Sequence, residues 1–176
     1  MKKFLAVLAM LSVSVSCAPF SKNILDQVDP ALTFEDVQKD PSVFQGKMVL
    51  WGGVIIETLN RPKETVIKVR QTELDLEKRP TNLDRSRGRF LIHYNGFLDP
   101  AIYREGREIT VAGEIIGKEV LPLGNLNYTY PLVVAKEIYL WERLPPYRGV
   151  YPYYPWYYDP FYPWGYRPYW RNPYWW

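Results

Sequence analysis

Between Met48 and Trp141 the apolar residues recur in five runs, and their spacing is two rather than 3.6. The clearest run is ETVIKVRQTEL, where Thr65, Ile67 and Val69 fall on one side and Val66, Lys68 and Arg70 on the other. That alternation predicts a half-buried strand. RFLIHY places Phe90, Ile92 and Tyr94 on one face and His93 on the opposite one, so the histidine reads as an exposed strand residue. QGKMVLWGGVIIETLN and EITVAGEIIGKEV are rich in β-branched residues and are broken at mid-run by glycine. NYTYPLVVAKEIYLWER completes the set, with Pro131 restricted to a strand end or edge. The segments between the runs, EKRPTNLDRSRGR and NGFLDPAIYREGR, carry turn residues and read as a loop and a turn. Ahead of the first run, Thr33 is placed to cap a short helix through FEDVQKD that stops at Pro41, with Phe34 and Val37 on one side.

Two of the runs repeat one another. GKMVLWGGVI and GREITVAGEI both read glycine, base, any residue, aliphatic, three of any kind, glycine, any residue, isoleucine. Each puts a tight turn before a strand with a glycine at its centre, Gly53 in one and Gly113 in the other, and Gly52 doubles the first. Mid-strand glycines mark bends or close backbone approaches. Five antiparallel strands that bend at glycines predict an all-β fold, a small five-stranded OB-like curved barrel with one short N-terminal helix. A β-sandwich of similar size is the alternative. Trp51 and Trp141 fall at strand positions and are expected to bury their rings in the barrel or to close its mouth.

The two ends of the chain follow other patterns. Lys2 and Lys3 precede an apolar run, Phe4 to Val13, that is too short to span a bilayer, the layout of a secretory signal peptide. It ends in SVSCAP, where Ser16 precedes Cys17, the only cysteine. These residues resemble the lipobox of bacterial lipoproteins, with Ser14 where an aliphatic residue is usual. The resemblance implies that Cys17 is acylated and becomes the new N-terminus, and Ala18, standing where an aspartate would retain a lipoprotein in the inner membrane, implies the outer membrane. The alternative is an ordinary signal peptide beside an incidental thiol. From Pro145 onward prolines and aromatics alternate without a sustained period, which predicts a disordered, polyproline-like tail. The organisation expected is therefore a signal peptide at 1–16, a lipidated tether at 17–32, a barrel domain at 33–144 and the aromatic tail at 145–176.

Net charge is only +3 and the charges are interspersed, which argues against nucleic acid as a partner. One histidine cannot build a histidine metal cluster, and Glu73, Asp75 and Glu77 read as a solvated edge beside a basic loop. No phosphate loop, nucleophile elbow or Cys/His pair is present, so no catalytic residue, metal ligand or cofactor is expected. A hydrolase built on two distant carboxylates would leave no local signature. Arg79, Arg85, Arg87 and Arg89 are the densest cationic cluster and can meet anionic lipid or lipopolysaccharide. In the tail, Tyr154, Trp156, Trp164 and Trp170 are ring types that settle at membrane interfaces or stack on peptidoglycan or lipopolysaccharide sugars, and a self-association arm is the third option.

VFQGKMVLWGG, RGRFLIHYNGFLDPAIYREGREITVAGEIIG and YPLVVAKEIYLW resemble the Slp family, the starvation-inducible outer-membrane lipoproteins of Gram-negative bacteria. The likeness runs from about Phe34 to Trp141. It implies a protein lipid-anchored to the outer membrane, with a structural or stress-protective envelope role exerted by binding rather than catalysis. A small-molecule or oligosaccharide binding module is the second reading.

Overall fold

The computed structural model describes residues 19–143. Six strands appear: β1 (Met48–Asn60), β2 (Thr65–Leu74), β3 (Pro80–Thr81), β4 (Gly88–Tyr94), β5 (Glu108–Leu123) and β6 (Leu126–Leu140). The order β1-β5-β6-β4-β2 is closed by a β1–β2 pairing, while the two-residue β3 hangs on β2. All neighbours are antiparallel except β4 and β6, which pair in parallel at Leu91–Leu132, Ile92–Val133 and His93–Val134. This is the closed five-stranded OB-like barrel that the alternation and the glycines predict, not a sandwich.

The inward faces follow the period-two reading. Val49, Trp51 and Ile55 of β1, Ile67 and Val69 of β2, Phe90 and Ile92 of β4, Ile109, Val111 and Ile115 of β5 and Val133 of β6 form one core. Two helices stand before β1: α1 (Lys22–Leu25) and α2 (Phe34–Lys39), with a 3-10 turn at Pro41–Phe44. Thr33 caps α2, its hydroxyl accepting from the Asp36 N–H at 3.2 Å and donating to the Asp36 carboxylate at 2.6 Å. Six residues of helix are marginal alone. Packing holds α2 in place: Phe34 meets the Trp51 ring edge-on at 4.8 Å and Val37 is fully buried, so the helix plugs one pole of the barrel.

The glycines permit contact rather than freedom. A Cβ on Gly53 would overlap the Arg70 carbonyl, and one on Gly113 the Val134 carbonyl. Gly52 faces outward beneath the β2–β3 hairpin, where a Cβ would stand 2.6 Å from Leu74 Cδ2 and 2.9 Å from Thr110 Oγ1. The ladder slips beside Gly113, between Ala112 and Gly113, but in β1 it slips between Ile55 and Glu57, past the glycine pair.

The segment expected to be a polar tether is held on the body from Phe20 onward. Phe20 is buried against Tyr139, the Ser21 N–H donates to Glu137 Oε2 at 2.9 Å, and Val28 bridges to Met48. An apolar ring and a strand-forming valine inside a polar stretch are the reason: each finds a partner on the barrel surface.

Candidate functional site

OB barrels commonly use the outer face of their second and third strands, flanked by loops, to hold oligonucleotides and oligosaccharides. Here that face belongs to β2 and β4, and the chain covers it with its own β5–β6 hairpin. Tyr130, wholly buried, packs with Val66 and Leu91, and Leu121, Tyr128 and Leu132 close around them. Lys68 lies 5.9 Å over the Tyr130 ring and pairs with Glu57 at 2.9 Å. What is left is a groove of about 250 Å³ beside Leu59 and Pro122. His93 belongs to the same face and is therefore not exposed as its position on β4 predicts. With β6 running beside it, the side chain keeps 13 % of its accessibility, and Nδ1 lies 3.1 Å from Glu64 Oε2 while Nε2 is buried without a partner. Burial raises the Glu64 carboxyl, but the Arg61 hydrogen bond and the His93 contact outweigh it and hold the group below its ordinary value.

A larger cleft, about 570 Å³, opens at the α2 pole between the Val28–Phe34 segment and the edges of β1 and β2. Its walls are apolar at Leu32, Val49 and Leu74, and Lys78 and Arg87 stand with Asp29, Glu73 and Asp75 among its charged lining. Gln71, 7 % exposed, also lines it. The Gln71 Nε2 donates to the Thr72 carbonyl at 2.9 Å, which leaves Oε1 as a buried acceptor with no donor. A buried acceptor without a donor costs on the order of 1–3 kcal/mol. Gln71 continues the inward register of Ile67 and Val69, so an amide at a core position was the signal that strand patterning alone passes over.

The arginine loop is only partly a cationic surface. Arg79 Nε pairs with Glu108 at 2.7 Å, its Nη2 donates to the Glu142 carbonyl at 3.1 Å, and its guanidinium lies 5.5 Å over Trp141. Arg87 bridges Glu35 at 2.8 Å and Glu73 at 3.0 Å. The Arg89 backbone N–H donates to the Tyr128 hydroxyl at 2.9 Å. Arg85 alone of these is exposed without an ion pair among the described residues. Glu73, Asp75 and Glu77 do not share a strand face: Glu73 is the next-to-last residue of β2, whereas Asp75 lies past its end and accepts from the Arg79 N–H in the hairpin turn. Trp51 is a core ring, as expected, but Trp141 packs outside the barrel, its Nε1 donating to Thr110 Oγ1 at 2.9 Å. Cys17 and the tail rings Tyr154, Trp156, Trp164 and Trp170 lie outside the described residues. Among those residues no group of three His, Cys, Asp or Glu side chains is set to hold a metal, and no helix is long and apolar enough to cross a membrane.

The model of the family described as Outer membrane lipoprotein Slp family matches residues 15–176. Outer membrane protein Slp of Escherichia coli (strain K12) is 26 % identical over 144 residues, 81 % of this chain and 76 % of its own length. The uncharacterized lipoprotein YeaY of the same strain is 31 % identical over 127 residues, 69 % of this chain and 63 % of that protein. An uncharacterized protein of Haemophilus influenzae is 34 % identical over 96 residues, 54 % of this chain and 52 % of its own length. The chain thus matches less than two thirds of the last two relatives. No solved structure matches it.

Proposed function

The chain belongs to the outer membrane lipoprotein Slp family and is an outer-membrane lipoprotein, and from that premise we propose that it protects or supports the envelope by binding envelope components rather than by catalysis. In this reading Cys17 carries the lipid and the α2-pole cleft is the binding surface of the body. The observation that carries it is Gln71: a buried acceptor lacking a donor lines a cleft whose walls are apolar and whose rim is charged. An amphipathic envelope molecule with a hydroxyl or amide donor matches that lining. The tail rings Tyr154, Trp156, Trp164 and Trp170 are further contacts for peptidoglycan or lipopolysaccharide in this proposal, and Arg85 is the cation of the loop left free to join them.

The cleft volume, inside the roughly 300–1,000 Å³ of small-molecule sites, also favours the second reading, a periplasmic small-molecule or oligosaccharide binding module. A photo-cross-linking residue at Pro30, on the cleft, and another at Val120, on the β5 arm, separate the readings in intact cells. Adducts with envelope lipid, glycan or protein that form from Pro30 and not from Val120 are expected. Small-mass adducts alone would support the module, and identical adducts from both positions would remove the cleft from the account.

A further inference from the structure

The barrel pole opposite α2 is closed by residues 95–107, and this segment shows two sides. Leu98 and Tyr103 turn inward to the core. Thr65 fastens the loop, its hydroxyl hydrogen-bonded to the Gly96 carbonyl at 2.8 Å and the Leu98 N–H at 3.0 Å, and Thr58 donates to the Tyr103 carbonyl at 2.6 Å. Phe97 and Ile102 point the other way and are 73 % and 53 % exposed. Two large apolar side chains held in water by a firmly pinned loop are a surface awaiting a partner.

Charge and the route of the chain identify that partner. Arg104 and Arg107 belong to the loop and Arg143 reaches it at Gly106, and none of the three is ion-paired with a described residue. Glu105 and Glu142 stand among them, whereas Glu64 is tied to Arg61 and His93 and Asp99 accepts from Ala101 within its own turn. The N-terminal segment leads to the same pole. Ser21 is bound at Glu137 and Phe20 at Tyr139, so the chain read backwards moves along β6 toward Trp141. Arg107 joins that end of β6 to the loop by donating to the carbonyls of Trp141, at 2.8 Å, and Ile102, at 3.4 Å. Cys17 is three residues before Phe20, a reach of at most about 10 Å.

We propose that the 95–107 pole is a membrane-contacting surface, with Phe97 and Ile102 entering the headgroup region of the phospholipid leaflet that holds the acyl chains and the flanking bases facing anionic headgroups. The inference rests on acylation at Cys17 for its orientation, not for the affinity of the loop. It sets the barrel upright, with its α2-pole cleft turned away from the bilayer.

The test uses the full mature chain isolated from outer membranes, its acyl group verified by mass, in phosphatidylethanolamine–phosphatidylglycerol vesicles. Cys17 is blocked by acylation, so F97C or V43C introduces a single nitroxide site; Val43, 71 % exposed, lies beside α2. The label at 97 is expected to collide with oxygen in the lipid and to be shielded from an aqueous nickel reagent, and the label at 43 to behave oppositely. In the C17S chain, F97S combined with I102S is expected to lower partitioning into the same vesicles about tenfold. Equal nickel accessibility at 97 and 43, or unchanged partitioning of the double variant, overturns the proposal. Failure of acylation itself is read separately, from the mass.

Discussion

Gly53 sits against the β2 backbone, and any side chain there meets the Arg70 carbonyl, which cannot swing aside as a side chain can. Gly113 has the same relation to the Val134 carbonyl. Valine at either position should therefore cost more than the ~1 kcal/mol typical of a single substitution, of the order of 1–3 kcal/mol, in urea unfolding. Gly52 meets mainly the Leu74 and Thr110 side chains, so alanine there should cost less than at Gly53. Equal losses at all three positions would contradict this account of the bend. These glycines were legible because they interrupt otherwise continuous strands. Gln71 and His93 were not, since period two assigns a side of the strand and says nothing of what another element lays across that side.

Among the elements, α2 is a six-residue helix that depends on its ties to the barrel. Phe34 plugs the barrel, so Phe34→Ala should lower stability by about 3–5 kcal/mol, and circular dichroism should show loss of the helix before the sheet melts. Arg87 adds a polar clasp by joining Glu35 of α2 to Glu73 of β2. The Asn82 hydrogen bond first, and the Arg87 guanidinium next, hold the Glu73 carboxyl below its ordinary value. A carboxyl depressed in the folded state stabilises fully above its unfolded pKa, about 4.3, and that contribution is lost as pH falls through the lower folded value. Melting temperature should therefore fall between about pH 5 and 3, and the fall should be smaller in Arg87→Ala; an identical profile would show that the clasp does not couple to folding. The five long strands and the helix were readable from periodicity and a capping threonine. β3 and the parallel β4–β6 pairing were not, because two residues carry no period and pairing across a hairpin is a property of the closed ring. The β5–β6 hairpin is also longer than its pattern implies: strand continues past Val120 to Leu123, and Gly124, at φ 61°, makes the turn.

For the whole molecule, one topology sets two surfaces at opposite poles of the barrel, to which the two proposals give different tasks: the 95–107 pole and the cleft at the α2 end. The described barrel is complete without the aromatic tail, since β6 ends at Leu140 and the compact unit at Arg143. Deleting Pro145 to Trp176 should leave the melting temperature of the barrel unchanged and weaken pelleting of non-acylated protein with purified peptidoglycan or outer-membrane vesicles; an unfolded truncation would mean that the tail packs on the body. Location was the most legible property of all, because export and lipidation are read by other proteins from a short linear pattern, whereas a ligand is recognised only by residues the fold brings together. The most direct measurement is the fractionation of cells carrying Cys17→Ser. If lipid on Cys17 is the anchor, the variant appears in the soluble periplasmic fraction while the wild-type chain stays with outer membranes through a high-salt wash; a variant that still floats with the outer membrane after that wash contradicts the account.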